Sequence, residues 1–217
     1  MKKKAVPVGI EDFERIINED YYYVDKTMLI EELLINRAPV TLFTRPRRFG
    51  KTLNMSMIKY FFDVKNKEEN KKLFENLKIY NSEYMSEQGK YPVIFISLKD
   101  LKGDTWEKCF ENLKKTMYKI FNKYEFVREK LNIVEKRQFD KSWEMRDSKQ
   151  SFKTSRLDLS NYLNKYYGEK VIILIDEYDA PIINAFDKGY YNEAMNFFQT
   201  FYSSALKTNN SLKYGVL

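Results

Sequence analysis

Arg45-Pro46-Arg47-Arg48-Phe49-Gly50-Lys51-Thr52 gathers three guanidinium groups, a glycine, a lysine and a hydroxyl into one short stretch, a combination suited to holding phosphate. Glycine lets a backbone turn close to a phosphate, the lysine charge stabilises the terminal oxygens, and a hydroxyl after it can ligate Mg²⁺. Gly50, Lys51 and Thr52 fit those roles, and Pro46, Arg47, Arg48, Phe49 and Leu53 complete the candidate phosphate-binding set. Arg45 stands where the general G-x-x-x-x-G-K-[ST] loop has its first glycine, so the motif read alone is only moderately specific. A second group lies far along the chain, where Val171-Ile172-Ile173-Leu174-Ile175 runs into Asp176 and Glu177. An acid at the tip of a buried strand can hold Mg²⁺, and a glutamate beside it can orient an attacking water. Thr52 and Asp176 are therefore the candidate metal residues, and Lys51 and Glu177 the candidate catalytic ones. The competing reading of Asp176 and Glu177 is a solvated turn after a core strand; the earlier Gly50-Lys51-Thr52, in the right chain order, favours the first.

Positioning such groups requires particular elements. Val40 to Thr44 is β-branched and apolar, and Leu53 to Phe62 is apolar at helical spacing, which predicts strand, loop and helix in the order a P-loop needs. Val171 to Ile175 is unbroken in its apolar character and predicts a parallel strand buried on both faces. Tyr91 to Leu98 predicts another strand with Pro92 at its start. Helices are expected at Phe13 to Ile17, Thr27 to Asn36 (with Asp25 or Thr27 as cap and Met28, Leu29, Leu33 and Leu34 inward), Trp106 to about Lys130, Leu157 to Tyr167 and Tyr191 to Leu206. Gly168 is a plausible end for the fourth of these. Gln138 to Thr154 is polar with poor periodicity and reads as a loop. Alternation of strands and helices implies an α/β fold, a three-layer sandwich with a mainly parallel sheet. Residues 1–36 read as a helical lead-in packing on the core, and 37–217 as the P-loop domain.

Tyr23-Val24-Asp25-Lys26-Thr27, Arg45 to Leu53, and Ile175-Asp176-Glu177-Tyr178-Asp179-Ala180-Pro181-Ile182 together resemble the prokaryotic AAA-ATPase-like family. The resemblance covers nearly the whole chain, and three motifs in order are specific. Arginine at the start of the loop is usual in that family, so Arg45 fits it. The resemblance implies a P-loop ATPase domain with ATP and Mg²⁺ as cofactors, usually followed by a PD-(D/E)XK nuclease-like domain. It also implies that the Tyr21 to Thr27 segment walls the adenine pocket, where the plain reading is a loop packing on the next helix. ATP rather than GTP is likewise an implication, since the sequence holds no N-K-x-D motif. Lys213 to Leu217 has the character of a core strand with no polar sensor residue after it, so the chain reads as truncated at its C-terminus. The alternative is a short protein whose last strand closes the sheet.

Composition bounds the rest. The chain has 217 residues, 43% of them hydrophobic, enough for one core of ordinary size. No histidine is present, which excludes His-based acid–base chemistry and His-ligated zinc. A single cysteine, Cys109, excludes an intramolecular disulfide framework and suits a reducing compartment. Neither a signal peptide nor a membrane-spanning run is evident, so a cytoplasmic protein without membrane contact is expected. The net charge of +7 is compatible with acidic partners, yet the lysines are interspersed with glutamate and asparagine as on solvated helix faces. Nucleic acid is therefore expected only through a downstream domain, and homo-oligomerisation is left open. The function expected is a Mg²⁺-dependent ATP-binding domain that hydrolyses ATP; the alternative is a nucleotide-gated switch or scaffold with little turnover. Arg47 and Arg48 could touch phosphate or form interface charge. Asp179 could orient a metal-bound water or cap a helix.

Overall fold

In a computed structural model, which describes residues 4–44, 49–144, 152 and 155–217, the strands form one four-stranded parallel sheet. Its strands are β1 (Val40–Thr41), β2 (Val93–Ser97), β3 (Val171–Asp176) and β4 (Leu212–Val216), in the spatial order β1-β4-β3-β2. The helices are α1 (Phe13–Asn18), α2 (Met28–Asn36), α3 (Lys51–Phe62), α4 (Lys67–Lys72), α5 (Trp106–Lys123), α6 (Ile133–Trp143), α7 (Ser155–Tyr167), α8 (Ala180–Lys188) and α9 (Tyr191–Leu206).

Strand β3 explains the layering. Every one of its residues is buried, and because successive side chains alternate sides, Val171, Ile173 and Ile175 enter one core while Ile172 and Leu174 enter the other. The first core contains α5, α7 and α9; the second contains α3 and α1 with Ile30 and Leu34 of α2. Each fully buried aliphatic side chain contributes about 1.5–3 kcal/mol by leaving water, so a strand buried on both faces fixes the centre of the fold. This is the three-layer P-loop NTPase-like sandwich. Its alternation also decides the chemistry: Asp176 has the parity of Ile172 and Leu174, and so faces the α3 layer.

Several expectations need correction. The first strand is shorter than Val40 to Thr44, pairing with β4 only over Val40–Thr41, although Phe43 N still donates to Leu217 O at 2.7 Å. The long helix ends at Lys123 and continues as a 3-10 segment, Glu125–Lys130. Gln138 to Trp143 is not loop: it belongs to α6, which starts at a capping box in which Asn132 Oδ1 accepts from Glu135 N and Glu135 accepts from Asn132 N. Weak periodicity there was a poor guide because one buried aromatic, Phe139, anchors the helix; the remainder of that expected loop lies mostly outside the described residues. In α2 the buried side chains are Ile30 and Leu34, with Met28, Leu29 and Leu33 half-buried. Thr27 makes no capping bond there and Arg37, in the left-handed region, ends the helix ahead of Pro39.

Candidate functional site

Gly50 precedes α3 at φ 73°, a left-handed conformation that glycine adopts without a Cβ clash. That turn starts α3 at Lys51, so the free N–H groups of its first turn, including those of Thr52 and Leu53, point out of the helix toward the carboxyl edge of the sheet. Helix α3 then crosses the sheet and packs on β3 and β2, which carries its first turn past the intervening β4 to the tip of β3. Thr52 Oγ1 donates to Asp176 Oδ2 at 3.0 Å, joining residues 124 apart in sequence. Lys51, Asp176, Glu177 and Asp179 line one hollow with Phe43, Met55, Tyr178 and Leu217. Open sheets bind ligands in this position, at the carboxyl ends of parallel strands.

Asp176 is 3% exposed. Burial pushes its carboxyl above the ordinary range, the Thr52 hydrogen bond opposes that, and the adjacent Glu177 charge adds to it. A buried carboxylate in this condition favours a cation. Thr52 and Asp176 present hard oxygens, which fit Mg²⁺, an ion usually held by one or two protein ligands together with substrate phosphates. Among the described residues, no three His, Cys, Asp or Glu side chains converge as a metal site.

Glu177 has φ 52°, in the left-handed region that costs a side-chain-bearing residue free energy. Its carbonyl accepts from Ala180 N at 3.0 Å, closing the turn that leads into α8. Tyr178 is fixed below it, its carbonyl accepting from Tyr202 Oη at 2.7 Å. Asp179 precedes α8 without a side-chain capping bond, so the capping role weighed for it is not used.

The other expected residues divide. Leu53 turns its side chain to the α3 core and can offer a ligand only its backbone N–H. Phe49 is 58% exposed. Arg45, Pro46, Arg47 and Arg48 lie outside the described residues. Cys109 is fully buried in the α5 core and burial raises its thiol, as suits a small hydrophobe. The Tyr21 to Thr27 segment is tied to the core by its own polar groups. Asp25 Oδ1 accepts from Thr27 N and Oγ1, Asp25 Oδ2 accepts from Lys78 N at 2.8 Å, and Thr27 Oγ1 accepts from Ile79 N at 3.2 Å. Tyr23 packs edge-on to Phe13 and reaches Met57 Sδ at 3.3 Å. These groups clamp the lead-in to the core, and the cavity beside them shares no residue with the hollow at Asp176.

Sequence reasoning missed a network that joins the lead-in to the phosphate-loop helix. Ser56 Oγ accepts from Phe13 N at 3.0 Å and lies 3.3 Å from Asp12 Oδ2, while Tyr60 Oη lies 3.2 Å from Asp12 Oδ2 and 3.0 Å from Glu14 Oε2. The only local signal was Asp12 at a helix start, where its side chain accepts from Arg15 N. Glu11, next in line, pairs with Lys99 at 2.8 Å. Nothing in either stretch of sequence points to the other.

Compared with known proteins, the chain matches a family model described as "Predicted AAA-ATPase" over residues 7–217. It is also similar to a protein of Azotobacter chroococcum mcd 1, described as an uncharacterized protein in the vnfD 5' region, at 28% identity over 193 residues. That alignment takes in 85% of this chain and 31% of the relative, so the chain spans less than a third of the relative's length. No solved structure matches it. Among the described residues, no helix is long and apolar enough to cross a membrane.

Proposed function

Because the chain belongs to the AAA-ATPase-like family, a family of ATP-binding domains, we propose that it binds ATP with Mg²⁺ and hydrolyses it to ADP and phosphate. The observation that carries this reading is the 3.0 Å contact of Thr52 Oγ1 with Asp176 Oδ2. It brings the end of the candidate P-loop against a buried acid from a distant strand, which a chance Gly-Lys-Thr triplet would not do. Mg²⁺, when bound, would offset the charge of the phosphate oxygens. Thr52 and Asp176 would hold it. Backbone N–H groups from Phe49 to Leu53, with the positive end of α3, hold the phosphates, and Pro46, Arg47 and Arg48 complete the loop. Lys51 Nζ stabilises charge on the oxygens of the transferring group, and the Glu177 carboxylate accepts a hydrogen bond from the attacking water and aligns it. ATP is the small-molecule partner; nucleic acid reached through a downstream domain, a second copy of the chain, and a cytoplasmic setting belong to the same proposal.

Calorimetric titration tests it. Lys51→Ala should weaken Mg²⁺-ATP binding by about tenfold or more, corresponding to about 1.4 kcal/mol. Unchanged affinity in a folded variant would remove the P-loop assignment. Phosphate release at saturating ATP then separates turnover from the alternative, a nucleotide-held switch that binds without hydrolysing.

A further inference from the structure

Lys99 stands beside the candidate site without a part in it so far. In the sheet, Ser97 is the register partner of Asp176, and Leu98 N donates to Asp176 O at 3.0 Å. Lys99 is the next residue, leaving the carboxyl end of β2 beside the acid proposed to hold the metal. Ser97 and Leu98 are thus the residues opposite Asp176, and Lys99 follows them in the turn that leaves β2. On β2, Val93 and Phe95 belong to the core on the α3 side, the side on which Thr52 meets Asp176. The partner of Lys99 comes from the lead-in: Glu11 Oε2 lies 2.8 Å from Lys99 Nζ. Glu11 in turn lines a cavity of about 340 Å³ with Thr52, Ser56 and Lys59 of α3 and Phe95 of β2.

The energetics of the pair are informative. Lys99 and Glu11 are 53% and 54% exposed, and an ion pair that open to water contributes little because both charges keep most of their hydration. It is a weak tie holding a cation next to a place where several phosphate charges are proposed to arrive. A triphosphate offers the ammonium a stronger partner than one solvated carboxylate.

We infer that Lys99 is a second phosphate-binding lysine, parked on Glu11 in the nucleotide-free chain and transferred to the terminal phosphate when Mg²⁺-ATP binds. The inference rests on the ATP-binding reading and adds a ligand-dependent exchange to it. Release of Glu11 loosens the lead-in at its contact with the sheet edge, while the Asp12, Ser56 and Tyr60 contacts keep it attached to α3. The lead-in thereby registers whether a terminal phosphate is present.

Competition for one ammonium makes a distinctive prediction, because breaking the same ion pair from its two sides should have opposite effects. Titration of the full chain with Mg²⁺-ATP and Mg²⁺-ADP is the test. Lys99→Met should weaken ATP binding by about fivefold to tenfold with ADP binding little changed, and Lys99→Arg should restore most of the loss. Glu11→Gln should strengthen ATP binding by up to about fivefold, the limit set by the worth of an exposed pair. Effects of the same sign for Lys99→Met and Glu11→Gln would make the pair a structural tie and overturn the exchange, as would equal losses of ATP and ADP affinity. If the unaltered chain binds neither nucleotide, the ATP-binding reading itself has failed. If it binds ATP through Lys51 but ignores changes at Lys99, only the exchange has failed.

Discussion

Replacing Glu177 by glycine and by alanine tests whether a strained backbone holds this carboxylate at the mouth of the site. Glu177 sits at φ 52°, where the Cβ of an L-residue costs roughly 1–2 kcal/mol. Alanine keeps that Cβ and the cost; glycine removes both, but its larger freedom in the unfolded chain takes back about 0.5–1 kcal/mol. Both variants remove the carboxylate and relieve its repulsion of Asp176, so the comparison between them isolates the backbone. Glu177→Gly should exceed Glu177→Ala in stability by about 0.5–1 kcal/mol. In a chain of this length that corresponds to about 1–4 °C in Tm. Denaturant melts of the nucleotide-free protein at neutral pH supply the free energies, and thermal melts supply an independent check. An alanine variant as stable as the glycine variant, or more so, would refute the argument that the turn stores strain. The expected result would mean that the chain keeps a glutamate where glycine is the easier residue, at the cost expected of a side chain retained for its chemistry.

Two other expectations can be checked by the same melts. Asp176→Asn should stabilise the nucleotide-free chain at neutral pH: the raised Asp176 carboxyl favours folding fully below the ordinary carboxylate value, and that contribution is lost as pH rises through its raised folded value. The advantage of the variant should therefore shrink as pH is lowered from neutral, and a variant that is no more stable at any pH would contradict the assigned burial penalty. Gly103→Ala should destabilise by about 1–3 kcal/mol, because a Cβ there would come within 2.6 Å of Cys109 N and 3.0 Å of Thr105 O, both backbone atoms; an unchanged urea midpoint would show that the start of α5 can shift to admit it.

Local chemistry was legible in the sequence wherever it is written in consecutive residues. The uninterrupted Val171 to Ile175 run dictates a strand buried on both faces because no polar residue along it could face water. Gly50 followed by Lys51 and Thr52 dictates a turn into a helix with a cationic, hydroxyl-bearing first turn. Helix α9 was readable to its ends from its aromatic spacing, whereas α6 was not, since its polar surface hides a single buried aromatic, Phe139, and its start is set by the Asn132 and Glu135 side chains. Contacts between distant segments were decided only by the tertiary structure. Strand parity and the path of α3 across β4 bring Asp176 to Thr52, and no local pattern encodes either. The same holds for the Asp25 and Thr27 clamp on Lys78 and Ile79, and for Glu11 meeting Lys99 at the sheet edge. Side-chain type and spacing determine what a segment can do, but the partner it does it with is chosen by packing, which buries the largest apolar faces first and leaves the polar groups at their edges to meet.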